Sequence, residues 1–342
     1  MEFKSIMAVP RSIIVDLETT PYYHVMTKCV RGSFLCGKDL KTQEDFTHRK
    51  YWIEDRIKLL ATVFAIQICS YTVMSNHYHL VLFVDEALGK SLTDEAILER
   101  WRIVYPTDAK KIDRLPEIAK ALKINACREK LIDLSWFMRC LNENIAKRAN
   151  AEEKRTGRFW AGRFKSQALL DYGAVMMAMS YVDLNPLRAG IAKTPEDSDF
   201  TSIKQRVKFV SQQVNQKTKS KSILKQLYDA ARQPSYLMSF LKPNAQKENK
   251  ITLPLNFSEY LELVDYTARL VRTDGKASMP ESLAPIFERL GLRGENWGQY
   301  ALGFGTKFSY AVGNLNKHRT FGKSNRAGPL KGLAIAKLCY NE

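Results

Sequence analysis

The run Tyr71-Thr-Val-Met-Ser-Asn-His-Tyr-His-Leu-Val-Leu-Phe-Val84 is apolar and β-branched, and it carries two of the chain's five histidines, His77 and His79, two residues apart. Composition of this kind reads as a buried strand. Strand side chains alternate between faces, so residues two apart share one. Both imidazoles then project side by side while Tyr78 turns into the opposite layer. Ser75-Asn76 suits a tight turn, and the run before it, Ala65 to Met74, is strand-like. The expected unit is a β-hairpin with the histidines near the start of its second strand.

The other elements follow by periodicity. Pro21 to Val30 reads as a first strand, with Arg31-Gly32-Ser33 able to bend or bulge it. Tyr51 to Phe64 reads as a helix, with Trp52, Ile53, Ile57, Leu60 and Ala61 on one stripe. Residues 86–134 are charged and irregularly helical, with a start at Leu92-Thr-Asp-Glu and breaks at Pro106 and Pro116; they are expected as an insertion over the histidine face. Ser135 to Ala151 carries Phe137, Leu141, Ile145 and Ala149 at helical spacing.

Asp171 is placed to cap a helix from Tyr172 to Asn185, stopped by Pro186. Tyr181 and Asn185 are four apart and share a face of it. Pro186 is expected to push Asn185 out of helical geometry and to start a short helix, Leu187-Arg-Ala, ended by Gly190. Beyond a polar linker at 234–250, helices are expected at 258–272, 281–291, 297–305 and 307–316.

Charge narrows the class. Lys and Arg outnumber Asp and Glu by 53 to 36, a net charge of +17. A chain this basic meets nucleic acid or an anionic surface. The segment Lys147 to Lys165 joins Arg155, Arg158, Arg163 and Lys165 to Trp160 and phenylalanines, the residue types that neutralise phosphates and stack bases. Residues 200–228 hold seven basic side chains and no acid, and Lys317 to Arg326 reads as a phosphate-contacting loop. No run reaches membrane-spanning length, and the N-terminus lacks a signal-peptide core. The six cysteines are scattered without a C-x-x-C pair, against a zinc ribbon or a disulfide scaffold. A cytoplasmic, nucleoid-associated protein without membrane attachment is expected.

Two neutral imidazoles and one amide oxygen make half of a six-coordinate shell, which suits Mg²⁺ or Mn²⁺ with phosphate and water filling the rest. A closed structural zinc site would need a fourth ligand. An open divalent ion polarises a phosphodiester, and the nucleophile must come from elsewhere. A tyrosine can supply it as a covalent ester that conserves bond energy.

His77-Tyr78-His79 resembles the HUH motif, histidine–hydrophobic–histidine, of the Y1 transposases. Tyr181-Val-Asp-Leu-Asn-Pro-Leu-Arg-Ala-Gly190 is similar to the tyrosine-helix signature of the IS200-like transposases and their REP-associated tyrosine transposase relatives, and Gly157 to Lys165 to the basic segment before it. The resemblance covers roughly residues 8–205. It implies that Tyr181 attacks single-stranded DNA and keeps the 5′ phosphate, that His77 and His79 bind the divalent ion, and that Asn185 is the third ligand where other members use glutamine. Arg155, Arg158, Trp160, Arg163, Lys165 and Arg188 would contact DNA. Tyr172 is the rival nucleophile, but it lies nine residues before Tyr181 and lacks an asparagine at i+4.

The implied fold is α+β, a ferredoxin-like antiparallel sheet with packed helices of HUH endonuclease type; to it the sequence adds a C-terminal helical module which, like the insertion at 86–134, has no counterpart in the short family members. The expected division is a catalytic domain at 1–205 with its insertion at 86–134, a basic helix and linker at 206–250, and a basic helical domain at 251–342. The implied partner is single-stranded or hairpin DNA, such as transposon ends or repetitive extragenic palindromes, bound by a monomer or homodimer. A domesticated hairpin binder without chemistry is the alternative. A replication-initiation nickase fits less well, because of the Asn-Pro-Leu-Arg-Ala-Gly match.

Overall fold

The computed structural model describes residues 14–30, 36–38, 43–213, 232–242, 251–273, 277–324 and 330–341. Among the described residues the element order begins β1 (Tyr22–Lys28), α1 (Arg49–Val63), β2 (Ile66–Val73) and β3 (His77–Val84). Four helices follow: α2 (Glu86–Ser91), α3 (Asp94–Val104), α4 (Pro106–Asp113) and α5 (Glu117–Ile132). Next come α6 (Leu134–Glu152), β4 (Lys165–Leu169), α7 (Tyr172–Asp183), α8 (Asn185–Arg188) and α9 (Ser202–Gln213). The C-terminal part supplies α10 (Phe257–Arg272), α11 (Ala284–Arg289), α12 (Trp297–Lys307), β5 (Ala311–Val312), α13 (Leu315–Ser324) and α14 (Leu333–Cys339). The fold is α+β.

The sheet runs β2-β3-β1-β4-β5. β3 lies antiparallel between β1 and β2, and β4 is antiparallel to β1 on its other side. The sheet is mixed rather than wholly antiparallel, because β5 adds to β4 in parallel. The helix expected over Lys307 to Asn316 gives way there to a strand. The free edge of β4 needs hydrogen-bond partners, and Tyr310 and Val312 carbonyls accept from the Ala168 and Leu170 amides at 2.8 Å each. The Lys317–Ser324 part of the expected phosphate loop is helical, in α13; Arg326 and the linker at 243–250 lie outside the described residues.

Alternation splits the core in two. Tyr23, Val25, Tyr78, Leu80 and Leu82 face α1 and α6, meeting Ile57, Leu60, Phe137 and Leu141. Tyr22, Val81, Phe83 and Leu169 face the other way, toward Val175, Met179 and Val182 of α7 and the C-terminal Tyr260, Trp297 and Phe304. By parity His77 and His79 belong to this second face, with His24 and Gln167 beside them. In β2 the register shifts between Ile68 and Ser70; Ile68 and Tyr71 both pack in the first core while Cys69 sits in the second.

The insertion does not cover the histidine face. Its buried Ile97, Leu98, Trp101, Ile124 and Leu131 join the first core, and α3 and α5 pack against α1 and α6. Apolar stripes on these helices find the exposed back of the α1–α6 layer, on the far side of the sheet. What covers the histidine face is α7 with α10 and α12 packed on it. Asp171 caps α7 by accepting from the Ala174 amide at 2.8 Å, and also accepts from the Asn314 amide and the Tyr340 hydroxyl. One carboxylate thus ties the start of α7 to the C-terminal segment. The helix break falls at Leu184 rather than at Asn185. Asn185 opens α8, and Pro186 takes a first-turn position where its missing N–H leaves no bond unmade.

Candidate active site: two histidines, a tyrosine and the helix over them

The four residues picked from two distant sequence segments converge on the second face. The His77 and His79 rings lie 5.0 Å apart, as i, i+2 neighbours on β3. The Tyr181 ring reaches down from α7 to 5.7 Å from the His79 ring. The Asn185 side chain lies beside His77 and the Tyr181 hydroxyl, near enough to shift the pKa of each. Tyr172 is placed elsewhere: it is half exposed, and its ring packs at 6.2 Å on Tyr22.

Two residues not singled out from sequence complete the cluster. His24 of β1 stacks on His79, with ring centroids 5.1 Å apart and planes 11° from parallel. Its Nε2 lies 2.9 Å from His79 Nδ1, and its Nδ1 lies 2.8 Å from Oε1 of Gln167 on β4. β1 pairs His24 with Gln167 and, on its other side, Met26 with His79, which places His24 diagonal to His79. Alternation along β1 puts Tyr22, His24 and Met26 on one face, but which strand lies alongside is a tertiary fact.

Burial decides the protonation of these groups. It lowers the His77 pKa to about 4, with the Lys28 charge adding to the effect and the Asn185 hydrogen bond opposing it. It lowers His24 to about 4 as well, and His79 further, where both neighbouring rings add to it. All three are neutral bases at pH 7, the form in which imidazole binds metal. Burial raises the Tyr181 pKa, while the Arg188 charge and the Asn185 hydrogen bond pull it back. Arg188 stands 5.1 Å over the Tyr181 ring and donates to the Ala301 carbonyl at 3.4 Å. It belongs to the site rather than to an outer basic surface.

Helix α12 lies directly over the tyrosine. Phe304 packs 5.0 Å from the Tyr181 ring and 5.5 Å from His24. At the next residue a Cβ would come within 2.8 Å of the Tyr181 hydroxyl, so Gly305 is what lets the α12 backbone approach.

Of the basic segment, Arg155, Arg158, Arg163 and Lys165 are exposed, and Arg155 pairs with Glu153 at 3.3 Å. Trp160 is half-buried: its indole donates to the Asn142 carbonyl at 2.9 Å and its ring meets Tyr78 edge-on at 5.7 Å. Phe159 and Phe164 are buried.

Among the described residues no group of three or more His, Cys, Asp or Glu is arranged to hold a metal ion. The donor set reaches three only through the Asn185 amide oxygen. Two imidazoles and one amide are too few for a closed structural zinc site, which takes four protein ligands, and would leave positions open to phosphate and water.

The fold and site thus define an α+β protein with a histidine–tyrosine–amide cluster on one sheet face. No protein-family model matches the chain, and no curated protein matches it. Among solved structures, a REP-associated tyrosine transposase bound to a REP hairpin is similar at 15% identity, over 55% of this chain and 79% of that one, with a TM-score of 0.33. Among the described residues no helix is long and apolar enough to cross a membrane.

Proposed function

We propose that this chain cuts and rejoins single-stranded DNA at hairpin-forming sites through a 5′-phosphotyrosine on Tyr181. One observation carries the reading: Tyr181 and Asn185 come down onto His77 and His79 from elements about a hundred residues apart in the chain. The strand order β2-β3-β1-β4, antiparallel at each step with α1 between β1 and β2, supports a ferredoxin-like sheet of the HUH type.

In this account the Tyr181 oxygen attacks a backbone phosphorus. The tyrosyl O–P bond forms, the P–O3′ bond breaks, the phenol loses its proton and the departing 3′ oxygen gains one. Arg188 and the Asn185 hydrogen bond favour the phenolate that burial disfavours. Mg²⁺ or Mn²⁺ held by His77, His79 and the Asn185 amide oxygen would supply Lewis-acid charge at the phosphate. Arg155, Arg158, Arg163 and Lys165 would neutralise phosphates of the flanking strand. The conserved phosphate ester lets a second 3′ hydroxyl reverse the step.

A second reading, a hairpin-binding protein without chemistry, has its own observation: Phe304 and Gly305 press on the tyrosine whose proton burial helps to retain. The two separate on labelled hairpin-bearing single strands incubated with Mn²⁺. Strand transfer predicts a denaturant-resistant protein–DNA adduct with wild type and none with Tyr181→Phe or His77→Ala. Tight binding with no adduct from any of the three leaves the binding reading.

A further inference from the structure

Two facing ring nitrogens 2.9 Å apart, His24 Nε2 and His79 Nδ1, share one proton between them. Which ring carries it is fixed from outside the pair. The Gln167 Nε2 lies 2.8 Å from the Ser309 carbonyl, an atom that can only accept. The amide nitrogen must therefore face Ser309, which turns Oε1 toward His24. An amide oxygen can only accept, so His24 holds its proton on Nδ1. A buried, uncharged His24 then has a bare Nε2, and His79 must donate from Nδ1. That leaves the lone pair of His79 on Nε2. His77 is held the same way, with its Nδ1 2.6 Å from the Asn76 side-chain oxygen.

We infer that Gln167 and His24 are positioning residues: they form a one-way hydrogen-bond relay, from the Ser309 carbonyl to His79, that keeps the His79 Nε2 lone pair free for a divalent ion. The inference rests on the proposed reading of His79 as a metal ligand. It also gives the C-terminal segment a part in the site, since Ser309 stands just before β5. Without the relay His79 would divide between two tautomers, only one of which ligates through Nε2. Outer hydrogen bonds of this sort typically change metal affinity by about 10- to 100-fold.

The test uses full-length protein labelled with ¹⁵N at histidine, without DNA or metal. Long-range ¹H–¹⁵N spectra read each ring's tautomer directly. Wild type is expected to show His79 protonated at Nδ1 and bare at Nε2. Gln167→Leu is expected to mix the tautomers and, by Mn²⁺ titration followed by electron paramagnetic resonance, to bind Mn²⁺ about 10- to 100-fold more weakly. His24→Phe, which keeps a stacked ring but no acceptor, gives an independent variant should Gln167→Leu not fold. A wild-type His79 protonated at Nε2, or wild-type Mn²⁺ affinity in the folded relay variants, overturns the relay. A wild-type His79 protonated at Nδ1 in a protein that binds no Mn²⁺ upholds the relay and sinks the metal reading instead.

Discussion

Gly305 and Tyr181 meet where any side chain at position 305 would crowd the tyrosine: a Cβ there would lie 2.8 Å from the tyrosine hydroxyl and 3.2 Å from its ring carbon. The proposed nucleophile therefore sits under the backbone of α12, and its environment depends on a helix more than a hundred residues further along the chain.

Gly305→Ala should force Tyr181 or α12 to move. Helix propensity alone would favour alanine by about 1 kcal/mol, whereas overpacking costs typically about 1–3 kcal/mol. The expected outcome is net destabilisation by denaturant titration, and an altered rate of adduct formation because the tyrosine is displaced. A gain in stability would mean that α12 does not rest on Tyr181.

Acid should unfold the metal-free protein early. His24 and His77 have folded pKa values of about 4 against an ordinary 6.5. Between those values the unfolded chain binds protons that the folded chain refuses, so stability falls as pH drops from 6.5 toward 4 and is fully present above 6.5. Each histidine contributes a slope of about 1.4 kcal/mol per pH unit at most. Urea midpoints at pH 7 and pH 5 measure it. Equal midpoints would contradict the burial of these rings, and His24→Phe should flatten the slope.

The basic segment should divide into two kinds of residue. Trp160→Ala removes an indole that is packed on Tyr78 and bonded to Asn142, and should cost about 2–4 kcal/mol of stability. Arg158→Ala and Arg163→Ala change exposed positions and should cost less than about 0.5 kcal/mol. They should instead weaken DNA binding and lower its salt dependence by about one counterion each. Salt-titrated binding beside thermal melts separates the two. A stable Trp160→Ala with lost DNA affinity would reassign Trp160 to base stacking.

The parts of the site visible in sequence are the local ones. His77 and His79 share a face because of the strand period, and Tyr181 and Asn185 are only four residues apart, so they stay close although the helix breaks at Leu184 between them. His24 and Gln167 are joined to them by strand register, which depends on how β1 and β4 pair with their neighbours. The strand at Ala311–Val312 was hidden for the same reason: its apolar residues also suit a helix, and the unpaired edge of β4 decides. The insertion reads correctly as helices, with Thr93 capping α3. Its side of the sheet is set by which layer has apolar surface left to cover, and no spacing in the sequence encodes that.

In the proposed reaction Tyr181 takes the DNA. Digesting the covalent adduct formed with a hairpin-bearing single strand and Mn²⁺, then sequencing the peptides by mass spectrometry, tests it most directly. A nucleotide 5′-phosphate on Tyr181 and a free 3′ hydroxyl on the released strand are expected. A nucleotide on Tyr172 or any other residue, or a 3′-phosphate linkage, would contradict it.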